Sequence, residues 1–189
     1  MRGVLGAAVV VFATPALFPV GTFAVVPDGS RVEVVVRDNR GGFVGVTERV
    51  EAAVVVRQGE ADQYEATVEA RVDARTLATG VGLRDAQMRR DFLQTDRFPF
   101  VTFRGRATAR EHVAAGPMRV PVRGTLTIRD VGRDVEIPAE VVALADEYRV
   151  AGEVTIRLSA FGIPVPRFFV FVAEDPVTIR LRLRLRRAP

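Results

Sequence analysis

Near the end of the chain, Val177, Ile179, Leu181, Leu183 and Leu185 alternate with Thr178, Arg180, Arg182, Arg184 and Arg186. A strict period of two suits an extended strand with one dry face and one wet face, and no helix. The same pattern recurs along the chain. Val32, Val34 and Val36 alternate with Arg31, Glu33 and Arg37, and Ala66, Val68, Ala70 and Val72 alternate with Glu65, Thr67, Glu69 and Arg71. Val120, Val122, Gly124, Leu126 and Ile128 follow the same rule, as do Val150, Gly152, Val154, Ile156 and Leu158. With further strands expected around 43–57, 100–110 and 133–145, the count reaches about eight.

Each stretch runs for about nine or ten residues, roughly 30 Å at about 3.3 Å per residue. Long antiparallel strands with one continuous apolar face close into an up-and-down barrel, which removes exposed edges. A two-sheet sandwich fits less well, because its strands are shorter and its turns come about every 8 to 12 residues. At eight strands a barrel is either just filled by its own side chains or able to hold one small ligand.

One segment breaks the period. Between residues 79 and 93, Met88 and Phe92 stand one helical turn apart, and Asp85 precedes Arg89 by four, the favourable order for an ion pair. A short helix over about 84–93 is expected there, laid over the barrel or its mouth, with Pro99 closing the connection to the next strand. At 189 residues and without an internal repeat, the body reads as one domain over 17–189.

The beginning reads as an address. Met1 and Arg2 precede the uncharged apolar run Val4 to Ala13, and Ala-Thr-Pro-Ala at 13–16 supplies small residues for a cut. A signal peptide over 1–16, cleaved after Ala16, is expected, and the protein is then exported to the periplasm or beyond the cell. A retained anchor is the competing reading, since the uncharged stretch extends to Val26; Pro15 and Pro19 oppose one continuous spanning helix.

Catalytic chemistry is hard to assemble here. There is no cysteine and one histidine, His112, in a turn-rich connection, so thiol chemistry and every constellation of two imidazoles are excluded. Gly80-Val-Gly82 and Gly41-Gly42 lack the remaining residues of a phosphate cradle and read as turns. No enzyme activity, metal or cofactor is expected. All 27 basic residues are arginine, yet the formal charge is only +4, too small to argue for a nucleic-acid partner. The ladder of Arg180, Arg182, Arg184 and Arg186 must face outward, because exposing five aliphatic residues to bury four guanidinium groups would cost far more than the reverse. Such a row either pairs with Glu65, Glu69 or Glu153 on neighbouring strands or gives weak contact with an anionic membrane surface.

Three blocks in order carry a resemblance. Thr79-Gly-Val-Gly-Leu-Arg-Asp-Ala-Gln-Met-Arg-Arg-Asp-Phe-Leu (79–93), followed by Arg97-Phe-Pro-Phe-Val-Thr-Phe103, resembles the signature of the YceI-like, polyisoprenoid-binding family. Val122-Arg-Gly-Thr-Leu-Thr-Ile-Arg-Asp-Val131 with Arg133 is similar to its second block, and Gly152 to Leu158 leading into Ser159-Ala-Phe-Gly-Ile163 to its third. The opening Phe23-Ala-Val-Val-Pro-Asp-Gly-Ser-Arg-Val-Glu-Val is similar to the family's first strand. Two positions depart from the pattern: Gln87 stands where members often carry histidine, and Asp130 where glycine is common.

The resemblance implies a lipocalin-like, extended antiparallel β-barrel around an apolar pore that holds a polyisoprenoid, an isoprenoid quinone or a similar lipid, as carrier or sequestering protein. The apolar faces then nominate Val34, Val68, Phe103, Leu126, Ile156 and Leu181 as pore lining, and the helix spacing nominates Met88 and Phe92 as a cover touching the ligand chain. The competing class is a small outer-membrane barrel with apolar faces toward lipid, or a surface protein with an arginine-rich face and no bound lipid. Oligomeric state stays open, a homodimer included.

Overall fold

Each period-two segment becomes a strand, and the strands follow one another around a closed wall. In chain order they are β1 (Gly21–Val25), β2 (Arg31–Asp38), β3 (Phe43–Thr47), β4 (Val50–Gln58), β5 (Gln63–Asp73), α1 (Gly82–Gln87), β6 (Phe100–Arg110), β7 (Met118–Ile128), β8 (Val131–Ala143), β9 (Glu147–Arg157), β10 (Arg167–Phe168) and β11 (Phe171–Arg187). The computed structural model describes residues 19–60, 63–110, 116–165, 167–168 and 171–188. The expected signal peptide over 1–16 and His112 lie outside them. Strands β1, β4, β5, β6, β7, β8, β9 and β11 pair antiparallel in that order, and β1 returns to β11 to close an eight-stranded barrel.

Two additional strands lengthen the wall at one end. β1 and β2 occupy the same edge of β11, with Phe23 opposite Arg187 and Val32 opposite Leu181. The excursion between them is pinned by Val26 N–H to the Arg184 carbonyl (2.8 Å) and by Arg184 N–H to Ser30 Oγ (3.0 Å). β3 continues β4 in the same way, pairing Thr47 with Val32 where β4 pairs Ala53 with Ala24. The single strand expected over 43–57 is therefore two. Thr47 Oγ1 accepts the Arg49 N–H at 3.0 Å, a local bond that takes the backbone out of the ladder at Glu48 and Arg49.

Two prolines limit the pairing. Pro121 and Pro138 stand opposite one another across β7 and β8, so their nitrogens point away, toward β6 and β9, with no proton to donate. The β6–β7 ladder stops at Ala107–Val122 and the β8–β9 ladder at Ala139–Gly152, each one residue from its proline. Glycine matters at another point of the wall, where Gly105 faces Gly124. A Cβ on Gly105 would overlap the Phe103 ring, and one on Gly124 the Arg104 carbonyl, so this part of the inner wall has room only for Phe103.

The alternation sorts the faces as expected. Val177 and Leu185 are 2% and 3% exposed, whereas Arg180, Arg182 and Arg186 point into solvent. An outer-membrane barrel needs the opposite arrangement, so that alternative is overturned. No helix among the described residues is long and apolar enough to cross a membrane. Arg180 bonds Glu153 at 2.6 Å, and Arg184 and Arg186 share Glu147 at 3.0 and 3.4 Å, so most of the ladder is met by carboxylates on β9.

Glu147 also takes Arg149 at 2.9 Å. Bonding to Arg184 first, then to Arg149, pulls its carboxyl from the usual 4.5 down to about 2. A depressed folded-state value means stability that is present above pH 4.5 and is lost as pH falls through about 2. Glu147→Gln is expected to lower stability at pH 7 by about 2 kcal/mol, after allowance for screening of its exposed partners, with the difference from the parent closing below pH 3. Thermal melts across that range check it; a difference constant in pH would sink it.

The interior falls into two buried clusters. At one end Phe161 and Ile163, in and just after the 3₁₀ turn Leu158–Phe161, gather Val36, Leu126, Ile128, Ile156, Ala173 and Val177. At the other, Phe23, Val54, Val56, Tyr64, Tyr148 and Leu185 make a plug, with the Phe23 and Tyr148 rings edge to face at 4.8 Å. The Tyr148 hydroxyl donates to the Pro19 carbonyl at 2.8 Å, and burial pushes its pKa up.

Candidate functional site

Between the two clusters the barrel encloses a cavity of about 690 Å³. It exists because the inward faces are mostly valine and alanine, too short to meet across the lumen. All eight nominated residues stand on its wall: Val34, Val68, Phe103, Leu126, Ile156 and Leu181 from six strands, and Met88 and Phe92 from the helical segment. Leu126 and Ile156 are buried, and the other six are half-buried.

The helical segment differs in detail from the expectation. It begins at Gly82, two residues earlier than 84, and from Met88 to Leu93 it widens into a π-helical turn. Gln94, in the left-handed region at φ 50°, ends it. The Asp85–Arg89 ion pair does not form. Asp85 is buried and accepts instead from the Thr79 N–H (2.8 Å) and hydroxyl (2.6 Å), while Arg89 donates to the carbonyls of Arg75 (3.4 Å) and Leu77 (3.3 Å). A short loop that offers backbone donors to a buried carboxylate outcompetes an exposed pair one turn away.

These bonds fasten the helix to the wall. Val46 and Ala78 exchange backbone bonds of 2.8 and 3.1 Å, and the Arg84 guanidinium lies 4.2 Å above the Phe43 ring centroid while its Nε donates to Thr79 Oγ1 at 2.8 Å. The β2–β3 hairpin and the start of α1 thus form two lips. Asp38, Arg40, Gly42 and Phe43 line the cavity from one lip, and Val81, Leu83, Arg84 and Gln87 from the other. Several of these are exposed, which marks this end as the mouth. The opposite end is stopped by Tyr64, Tyr148 and Phe23.

Part of this was within reach of the sequence. Tyr64 and Tyr148 share the inward parity of Ala66 and Val150, and Phe43 opens a short alternating run. Leu77 obeys no period, and it fits because Gly45 leaves it space: its Cγ lies 3.3 Å from where a Cβ would stand. Chemically the site is an aliphatic hole with Asp38, Arg40, Arg84 and Gln87 at its mouth, Thr47 and Thr102 along the wall, and Tyr64, Glu65 and Tyr148 toward the plugged end. Among the described residues no three groups of the metal-binding kind come together.

A family model described as the YceI-like domain matches residues 23–185. The fold is similar to that of BcnA from Burkholderia cenocepacia, at 21% identity and TM-score 0.69, covering 85% of this chain and 98% of that one. A polyisoprenoid binding domain from Saccharophagus degradans, implicated in plant cell wall breakdown, aligns at 14% identity and TM-score 0.64 over 90% of this chain and 100% of its own. A YceI protein of Campylobacter jejuni aligns at 16% identity and TM-score 0.55 over 73% and 82%. No curated protein matches in sequence. At such identities the structures speak for the fold alone, but the family model spans the barrel from its first strand to its last, and on that match the chain belongs to the YceI-like domain family.

Proposed function

We propose that this protein is a carrier or sequestering protein that holds the long apolar chain of a polyisoprenoid, an isoprenoid quinone or a similar amphiphile inside the barrel. The observation that carries the reading is the aliphatic cavity of about 690 Å³, open at one end and plugged at the other. That volume lies within the range of about 300–1,000 Å³ common for small-molecule sites. The polyisoprenoid-binding relative supports the same ligand class.

Function here is solvation and needs no enzyme chemistry. Burying roughly twenty CH₂ groups at about 0.8 kcal/mol each gives on the order of 16 kcal/mol gross. Ordering the chain takes back a large share, which leaves retention in the micromolar to nanomolar range. Selectivity follows from cavity length and width, with the rim groups orienting a headgroup. The site for this work is the periplasm or the cell exterior, after removal of residues 1–16, with weak contact to an anionic membrane surface.

Organic extraction of the purified protein followed by mass spectrometry tests the reading. A long-chain isoprenoid or lipid in stoichiometric amount is expected; a lipid-free extract from protein purified without detergent would favour a surface protein with an empty core. Intact mass of the exported form, expected to begin at residue 17, tests the address. A cover made by Met88 and Phe92 is tested by kinetics. Replacing both by alanine removes two adaptable apolar contacts and is expected to speed ligand dissociation by about tenfold or more. Lost thermal stability with an unchanged off-rate would make them plain packing.

A further inference from the structure

We propose that the lips of the mouth, and not the arginine ladder, form the surface by which this protein docks on an anionic lipid bilayer. Among the described residues five of the seven large exposed aliphatics lie at this end: Val44 (41% exposed) and Val46 (37%) on β3, Val81 (49%) and Leu83 (72%) at the start of α1, and Val172 (40%) at the start of β11, while Val20 and Leu144 stand apart at the plugged end. They are neighbours through the backbone. Val46 is bonded to Ala78, three residues before Val81, and Val172 exchanges bonds with Asn39 in the β2–β3 hairpin. Isolated exposed aliphatics are ordinary, but a rim of them around the opening of an apolar cavity is a recognition surface.

The charge beside this rim selects the partner. Arg37 and Arg40 are exposed in the hairpin, and Arg84 sits between the lips. Of the nearby acids, Asp85 is buried and turned toward Thr79, while Asp38, which accepts the Arg40 backbone N–H, and the exposed Glu174 beside it keep their charge. Protruding aliphatics with Arg37, Arg40 and Arg84 beside them match an anionic headgroup layer over hydrocarbon. The ladder is less suited, because Arg180, Arg184 and Arg186 are bonded to Glu153 and Glu147. A chain leaving the bilayer at the lips would also meet Leu83 and Val81 before the cavity, so its apolar surface stays covered along the path. This purpose rests on the lipid-carrier reading, whereas the docking itself is measured without any cavity ligand.

The absence of tryptophan makes the test clean. Two variants of the exported form, beginning at residue 17, each carry one reporter: Leu83→Trp on the lip, and Leu144→Trp, at an exposed position between β8 and β9 at the plugged end. Vesicles of phosphatidylcholine with one third phosphatidylglycerol carry brominated acyl chains, which quench only indoles that reach the hydrocarbon. Quenching and a blue shift are expected for the Leu83 reporter and not for the Leu144 reporter, weaker in high salt and weaker still with phosphatidylcholine alone. Adding Val44→Asp and Val81→Asp is expected to weaken vesicle binding by about tenfold or more.

Equal quenching at both positions, quenching at Leu144 alone, or none at Leu83 overturns the proposal. Quenching at Leu144 alone would mean attachment through the plugged end of the barrel, where the Tyr148 hydroxyl holds the Pro19 carbonyl. A blue shift of the Leu83 reporter that needs no vesicles and grows with protein concentration also overturns it, by making the rim an interface between two copies of the chain. Lipid content by extraction is read on the same samples. Bound lipid without lip insertion removes the docking surface and leaves the carrier, and lip insertion without bound lipid does the reverse.

Discussion

Leu126→Trp is expected to reduce co-purifying lipid by more than about tenfold while the protein stays folded and β-rich. Leu126 is 7% exposed, lines the cavity, and stands opposite Phe103 in the β6–β7 ladder. The Gly105–Gly124 pair beside them adds no side chain to the lumen, so an indole at 126 has one direction in which to extend, across the cavity. Losing even three CH₂ contacts at about 0.8 kcal/mol each weakens retention about fiftyfold. The stability cost is modest for an overpacking change, about 1–2 kcal/mol, because the ring enters empty space and not a filled core. Leu144→Trp puts the same ring outside the barrel and should leave lipid content unchanged. Wild-type lipid levels in the Leu126→Trp protein would mean that the chain is not held in this cavity.

The reason Leu126 can be nominated at all is that a one-residue slip in a strand buried on one face exchanges its core and solvent faces. The sequence of β11 therefore tells which side of Arg180 is wet, and the mature wall follows strand by strand. Parity names a face and says nothing of what stands opposite. Glu147 shows the limit: its partners Arg184 and Arg186 lie 37 and 39 residues away and meet it only through the β9–β11 register. The rim was least legible. Leu77, Val81 and Leu83 follow neither period, and their positions depend on the Val46–Ala78 bridge and on the buried Asp85 carboxylate, which join segments about thirty residues apart or reorganise a loop. The split at Glu48 was hidden for a similar reason, since Thr47 and Arg49 look like ordinary strand residues until the hydroxyl takes the backbone N–H.

Phe23→Ala is expected to be the most damaging single change at the plugged end, because it acts on both the closure of the barrel and the floor of the cavity. Phe23 is fully buried, packs edge to face on Tyr148, and lies under the Arg187 guanidinium at 5.4 Å. It also sits in the short ladder that closes the wall, where β1 meets β11 only from Phe23–Arg187 to Val25–Leu185. Two further bonds depend on the same alignment, Arg187 Nη1 to the Val20 carbonyl and Ala188 N–H to the Thr22 carbonyl, both 2.8 Å. Removing a fully buried ring costs about 3–5 kcal/mol, and in a chain of this size that lowers the melting temperature by roughly 10 °C. The void left beside Tyr64 and Tyr148 opens the cavity floor, so a bound chain gains a second exit and its dissociation should quicken in step with the loss of stability. Phe23→Leu refills most of the volume without the ring and should recover more than half of the stability and most of the retention. A melting point within about 2 °C of the parent for Phe23→Ala would show that the plug does not carry the closure.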